Sequence, residues 1–104
     1  MSAKVMDKTK QDVYLKKPSM YAVVIHNDEI TTMDFVVQLL TTVFQMPPPR
    51  AAALMMAVHE NGQGIAGVYV FDIAATKKSQ AGQMAMQAGY PLKLTMKEMP
   101  ENGA

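Results

Sequence analysis

Residues 23–37 of this chain read VVIHNDEITTMDFVV, which combines a strand, a turn and the start of a helix. After the apolar run, Asn27 and Asp28 favour a turn because their short side chains hydrogen-bond nearby backbone groups. Thr31 is expected to cap the following helix, with Asp34 in its first turn. The turn therefore places carboxylates, an amide and a hydroxyl beside an apolar helix. Such a ledge suits a cation with an apolar substituent, although an ordinary solvated turn has the same composition.

Length and composition predict a single domain with one core. The chain has 104 residues, of which 49% are hydrophobic and 18% are charged. Its net charge of +1 gives no strong attraction to nucleic acid or membranes. The sequence has no cysteine, which excludes disulfides, thiolate metal sites and a cysteine nucleophile. It also has no apolar run of membrane-spanning length and no secretory signal, so a soluble, cytoplasmic protein is expected.

The two ends of the chain are predicted to lie outside the folded core. Residues 1–17 are polar and mixed in charge, without a helical or strand period, and are expected to form a flexible tail. The core is expected at residues 18–98. Residues 99–104 are expected to form a second, short tail.

Four segments in the first part of the core carry a strand or helix pattern. Residues 20–26 have apolar side chains in both alternating sets, which predicts a strand covered on both faces. Residues 32–44 and 50–60 repeat apolar side chains at three- and four-residue steps, as amphipathic helices do, and a run of three prolines separates them. Gly62 is expected to cap the second helix in a left-handed conformation. Residues 65–71 alternate as a second strand, and Gly64 and Gly67 indicate a bend or a close approach of another backbone.

The last part of the core is predicted to form a helix and a strand. Asp72 is expected to cap a helix that ends near Ala88, with Lys77 and Lys78 on its exposed side. The inner face of that helix is expected to contain Ile73, Ala74, Ala81, Met84, Ala85 and Ala88. Residues 92–97 alternate as a third strand. The predicted fold is therefore α+β, a small two-layer sandwich of order β-α-α-β-α-β, with three helices on a three-stranded antiparallel sheet.

The sequence offers little support for an enzyme. It contains no G-x-S-x-G, no phosphate-binding glycine loop and no H-E-x-x-H. Asp28, Glu29 and His59 could form a weak site for a divalent cation, but adjacent carboxylates in a turn usually point apart. We therefore expect no catalytic residues, no metal and no cofactor.

Three blocks of the sequence resemble one known family. Residues 26–36, HNDEITTMDFV, are similar to the ClpS adaptor signature N-D-D/E-x-T-P-M-x-F-V. Residues 54–62, LMMAVHENG, look like its second block, and the sequence Tyr90-Pro91-Leu92 matches a third. The resemblance covers residues 17 to about 97. Each motif is weak alone, but together they are specific.

The resemblance implies a function in protein degradation. ClpS adaptors fold as the sandwich predicted above and belong to the N-degron, or N-end rule, pathway. They bind proteins whose first residue is Leu, Phe, Tyr or Trp and deliver them to the ClpA-type AAA+ unfoldase of the ClpAP protease. By position, Asn27, Asp28 and His59 would bind the substrate α-amino group, and Met33 would exclude β-branched first residues. The hydrophobic pocket would be formed by Ile30, Thr31, Met33, Val36, Met55, Val58 and Leu92.

The resemblance also implies a second surface, which contacts the unfoldase. Its residues would be Asp72, Thr76 and Lys77, and residues 1–17 would be engaged by the same partner. Two positions depart from the family pattern. Glu29 stands where many members have a second aspartate, and Thr32 replaces a proline whose fixed φ would stiffen the corner.

Two other functions remain open from the sequence. The sandwich resembles the C-terminal domain of the ribosomal stalk protein, which would make this chain a protein-binding module without recognition of an N-terminal residue. That domain uses an exposed basic helix face, which this chain has only in part. A recognition module of a ubiquitin-ligase-like pathway is the second, and the short chain without cysteine argues against it.

Overall fold

The computed structural model describes residues 18–100, which form three strands and three helices. In chain order these are β1 (Met20–His26), α1 (Met33–Thr42), α2 (Pro48–Asn61), β2 (Gln63–Val70), α3 (Phe71–Ala88) and β3 (Lys93–Glu98). The order β-α-α-β-α-β and the antiparallel sheet confirm the predicted fold class. No helix in this part of the chain is both long enough and apolar enough to cross a membrane.

β1 is the central strand of the sheet, whose strand order is β2-β1-β3. It is antiparallel to both neighbours, and His26 at its end lies opposite Gln63 of β2 and Lys93 of β3. The register with β2 shifts between Val23 and Val24. Side chains from both alternating sets of β1 are buried, which confirms a strand covered on both faces.

Glycine in β2 makes room for side chains. A Cβ atom at Gly67 would overlap the end of the Tyr69 ring, which lies across this glycine. A Cβ atom at Gly64 would come within 3.0 Å of Leu54 and Val58 side-chain atoms of α2. The close approach predicted from these glycines is therefore real, but it comes from side chains and not from another backbone.

The first two helices contribute the apolar centre of the fold and the corner that leads to the site. Leu39 and Leu40 of α1 are fully buried. This helix ends at Thr42, earlier than predicted, because Gln45 adopts a left-handed φ of 55° before the prolines. α2 begins at Pro48 rather than at residue 50, since proline is well suited to the first turn of a helix.

α3 differs from the sequence prediction at its start. The predicted cap at Asp72 is wrong: the helix begins at Phe71, Val70 occupies the capping position without a side-chain hydrogen bond, and Asp72 lies in the first turn. The predicted inner face is correct at Ala74, Ala81 and Ala85, which are buried. Ile73 is 49% exposed, because it lies about 100° around the helix from Ala74.

Lys77 was also predicted incorrectly to lie on the exposed side of α3. It is half-buried, as is Lys78, and its ammonium group donates a 2.7 Å hydrogen bond to the carbonyl oxygen of Val43. That carbonyl follows the last turn of α1, where a cation is favourable because carbonyl groups there have no partner within the helix. Lys77 therefore joins α3 to the end of α1.

The edges of the core lie close to the predicted limits. The two outer strands are shifted by one or two residues from their predicted bounds. The amide of Met99 donates to the carbonyl of Met20 at 2.8 Å, which extends the strand pairing one residue past β3. The predicted N-terminal tail, residues 1–17, and residues 101–104 of the C-terminal tail lie outside the described residues.

Candidate binding site

A cavity of about 460 Å³ opens where the corner after β1 meets the start of α1 and the end of α2. This volume lies within the ~300–1,000 Å³ typical of small-molecule pockets. The lining residues are His26, Asn27, Asp28, Glu29, Ile30, Thr31, Thr32, Met33, Val36, Met55, Val58, His59 and Leu92. All three residues predicted to bind an amino group, and all seven predicted pocket residues, therefore lie around one cavity.

The two sides of the cavity are joined by a backbone hydrogen bond. The amide of Asn27 donates to the carbonyl oxygen of Gly62 at 2.9 Å, which ties the corner to the residue that ends α2. Gly62 has a left-handed φ of 95° and its own amide donates to the carbonyl of Val58. This conformation favours glycine, which has no Cβ atom. The predicted glycine cap therefore brings His59 and the corner to the same cavity.

Asp28 organises the corner through three hydrogen bonds. One carboxylate oxygen accepts from the amides of Ile30 and Thr31 at 2.8 and 2.7 Å, and the other accepts from the Thr31 hydroxyl at 2.7 Å. Burial alone would raise the pKa of Asp28, but these hydrogen bonds outweigh it and lower the pKa. The carboxylate is therefore held in the charged form, beside the cavity.

The cap of α1 is one residue later than predicted. Thr32, not Thr31, is the capping residue, and its hydroxyl oxygen accepts from the amide of Phe35 at 3.1 Å. Thr31 lies one residue before the cap, and its hydroxyl donates to Asp28. The Thr32 hydroxyl also lies 3.4 Å from the hydroxyl oxygen of Tyr90, whose ring packs against Phe35 with centroids 4.8 Å apart. Threonine thus fixes this corner with a side-chain cap in the place of proline's fixed φ.

The interior of the cavity is apolar. Val36 of α1 and Val58 of α2 are 8% and 3% exposed and form its floor. Half-buried Met55 and Leu92 form walls. Met33 is 41% exposed at the opening, which leaves its flexible thioether in contact with whatever enters.

The opening of the cavity is polar. Asn27 and His59 are exposed, and among the hydrogen bonds of residues 18–100 none occupies the carboxamide of Asn27 or the imidazole of His59. Both groups, together with the Asp28 carboxylate, can accept hydrogen bonds from a cation. No cluster of three metal-ligating side chains is found within residues 18–100. The arrangement suits an organic cation that carries an apolar group.

Three lining residues were not assigned to the site from the sequence. His26, Glu29 and Thr32 also border the cavity. The imidazole Nε2 of His26 lies 2.8 Å from the Thr95 hydroxyl of β3, so this side chain is already held by the sheet. In the sequence, these three residues could have been found only from their position next to the predicted amino-binding and pocket residues.

The second predicted surface lies away from this cavity. Asp72, Thr76 and Lys77 of α3 do not line it. Asp72 and Thr76 are exposed and one turn apart, and the Thr76 hydroxyl donates to the Asp72 carbonyl at 3.0 Å. Lys77 instead points to the end of α1. The structure thus brings two of the three residues together on an exposed face.

Comparison with known proteins gives consistent matches along the core. A family model described as ATP-dependent Clp protease adaptor protein ClpS matches residues 16–95. A protein of Clostridium acetobutylicum named ATP-dependent Clp protease adapter protein ClpS is 51% identical, over 86% of this chain and 89% of its own length. A protein of Syntrophus aciditrophicus with the same name is 52% identical, over 80% of this chain and 78% of its own.

A solved structure is also similar to this fold. Agrobacterium tumefaciens ClpS2 bound to L-phenylalaninamide superposes with a TM-score of 0.77 at 34% sequence identity, covering 80% of this chain and 100% of that one. The family match, the identities and the shared fold all extend over most of the chain. The chain therefore belongs to the ClpS family of ATP-dependent Clp protease adaptor proteins.

Proposed function

We propose that this protein recognises the free α-amino group and large hydrophobic first residue of N-degron substrates and delivers them to a ClpA-type unfoldase. One observation carries the proposal: a charged, hydrogen-bonding opening and an apolar floor belong to the same cavity. A peptide with a hydrophobic first residue presents the complementary pair, a cation next to an apolar side chain. The L-phenylalaninamide bound by the related ClpS2 protein has the same two features.

The amino group would be bound at the opening by Asn27, Asp28 and His59. An α-amino group has a pKa near ~8, so it is mostly cationic at neutral pH. The two carboxylate oxygens of Asp28 provide about four acceptor positions, and three of them are used within the corner. One position remains for the incoming cation, with the carboxamide oxygen of Asn27 and the imidazole of His59 as further acceptors. An acetylated amino group would lose the charge and keep only one of its three N–H donors.

The side chain of the first residue would occupy the apolar interior. Complete burial of a Leu or Phe side chain contributes about 1.5–3 kcal/mol. Each charge-assisted hydrogen bond contributes roughly 1.5–3 kcal/mol, and the entropy of association opposes both. These contributions predict a Kd on the order of micromolar. Met33 stands at the opening and would disfavour side chains that branch at Cβ, next to the amino group.

Isothermal titration calorimetry with matched peptides tests this proposal. Four peptides should differ only at residue 1 (Leu, Phe, Val or Ile), and a fifth should be the N-acetylated Leu peptide. We expect binding of the Leu and Phe peptides, weak binding of the β-branched pair and no heat from the acetylated peptide. Equal heats from the free and acetylated Leu peptides would contradict the proposal, and would favour a protein-binding module that does not read the N-terminus.

The partner surface is proposed on α3, at Asp72, Thr76 and Lys77. Asp72 offers the cleaner test because its side chain is exposed and takes part in no hydrogen bond among the described residues. A change of Lys77 to Glu would also remove its bond to Val43 and place a carboxylate near carbonyl oxygens, so a loss of binding would have two explanations.

A pull-down with a ClpA-type unfoldase separates partner binding from substrate binding. We expect Asp72→Lys to weaken capture of the unfoldase while its Leu-peptide titration matches that of the unaltered protein. Glu98→Lys is the matched control, because it makes the same charge reversal at an exposed position of β3. Equal capture by both variants would contradict a role for Asp72.

A further inference from the structure

Methionine is the oxidisable sulfur residue of this protein. The chain has eleven methionines and no cysteine. Four methionines among residues 18–100 are exposed: Met20, Met33, Met56 and Met86, at 38%, 41%, 42% and 75%. Met46, by contrast, is buried, with 7% of its surface exposed. Because access to sulfur controls the rate of oxidation, these four are the first targets of a peroxide among the methionines that the structure describes.

Met33 is the member of this exposed group that lines the cavity. Met20, Met56 and Met86 are absent from the cavity lining, whereas Met33 borders it directly. The second methionine of the lining, Met55, is half-buried and packs against the core. A single accessible thioether therefore stands where an apolar substrate side chain would enter.

We infer that Met33 is a redox-sensitive site, at which oxidation by hydrogen peroxide to methionine sulfoxide lowers the affinity for N-degron ligands. The sulfur lone pair attacks one peroxide oxygen, an S–O bond forms and the O–O bond breaks. The departing hydroxide takes the proton from the oxygen now bound to sulfur and leaves as water. Sulfur loses two electrons and peroxide gains them, so the reaction needs no other reagent. The inference rests on the function proposed above.

The effect follows from the polarity of the product. A sulfoxide replaces an apolar, flexible contact by a strong dipole that needs a hydrogen-bond donor or water. An apolar first residue would displace that water without supplying a donor, which is unfavourable. We expect oxidation of Met33 to weaken binding about tenfold. Conversely, a bound ligand covers the thioether and should slow its oxidation.

The test compares each protein with itself before and after peroxide. The unaltered protein, Met33→Leu and Met86→Leu are treated with hydrogen peroxide, the excess is removed, and L-phenylalaninamide is titrated by calorimetry. Leucine has a similar volume to methionine and cannot form a sulfoxide. Mass spectrometry of proteolytic peptides reports the oxygen added at each methionine. Treatment with both methionine sulfoxide reductases, one for each sulfoxide epimer, should restore the lost affinity.

We expect the unaltered protein and Met86→Leu to lose about tenfold in affinity, whereas the affinity of Met33→Leu stays at its own untreated value. Saturating L-phenylalaninamide should slow oxidation of Met33 but not of Met86. An equal loss in Met33→Leu, or full affinity in protein whose Met33 is oxidised, would overturn the redox site alone. Failure of the untreated protein to bind L-phenylalaninamide would overturn the proposed function and the redox site with it.

Discussion

Replacing Asp28 by asparagine separates the charge of this residue from its part in the turn. Asparagine keeps a carbonyl oxygen where the carboxylate accepts the amides of Ile30 and Thr31 at 2.8 and 2.7 Å. Its amide nitrogen can in turn donate to the Thr31 hydroxyl, which reverses that hydrogen bond without removing it. The corner should therefore keep its shape, while the negative charge at the opening is lost.

The size of the effect on binding follows from the loss of one charge-assisted hydrogen bond. In Asp28→Asn the carbonyl oxygen is taken by two backbone amides and the amide nitrogen is a donor, so residue 28 has no acceptor left for the substrate ammonium group. Such a bond contributes about 1.5–3 kcal/mol, so affinity for a peptide with a free N-terminal Leu should fall roughly tenfold to a hundredfold. The free energy of unfolding should fall by less than about 1 kcal/mol, because the backbone bonds remain.

Asp28→Ala is the companion variant, because it removes all three hydrogen bonds of the corner. Loss of comparable side-chain caps costs about 0.5–2 kcal/mol of stability. Urea unfolding measures that cost, and calorimetry with the Leu peptide measures affinity for both variants. Asp28→Asn should be as stable as the unaltered protein to within about 1 kcal/mol, and yet bind weakly. Unchanged affinity in Asp28→Asn would refute a contact between this carboxylate and the substrate ammonium group.

Three further outcomes are expected. The pKa of Asp28 is lowered in the folded state, so its contribution to stability is complete above the unfolded-state pKa near ~3.9. That contribution is lost as the pH falls through the folded-state pKa. Acid unfolding should show this loss in the unaltered protein but not in Asp28→Asn. Lys77→Met removes the hydrogen bond to Val43 and should lower the free energy of urea unfolding by about 1 kcal/mol without altering peptide affinity. Gly67→Ala should destabilise the fold by about 1–3 kcal/mol because the Tyr69 ring must move, and the same variant made with Tyr69→Ala should show a smaller cost in urea.

Periodicity and turn chemistry were sufficient to predict the order of elements. The strand at residues 20–26 and the glycine that ends α2 were predicted at their observed positions, since both depend on local preferences. Selection between neighbouring residues of the same type could not be predicted. Thr31 and Thr32 are equally good caps in isolation. In the structure Thr32 caps the helix, and the Thr31 hydroxyl donates to Asp28.

Tertiary contacts explain the remaining differences at α3. The alternation of residues 65–71 predicts Phe71 at the end of a strand, but its ring packs edge-on against Tyr21, with centroids 5.2 Å apart, from the first turn of the helix. The pattern along α3 predicts Lys77 at the surface, but its ammonium group donates to a carbonyl oxygen 34 residues earlier in the chain. Side-chain patterns along one helix contain no information about such a partner. The cavity residues, by contrast, could be grouped only because the resemblance joined motifs that are distant in sequence.

The hydrogen bond between the Asn27 amide and the Gly62 carbonyl has a consequence for the opening motions of the protein. It joins the corner after β1 to the end of α2, two segments that are far apart in sequence and that both border the cavity. Any fluctuation that frees the end of α2 also exposes this amide to solvent deuterium. Exchange at Asn27 should therefore report on the separation of these two sides of the cavity, and a ligand that binds only the closed form should slow it.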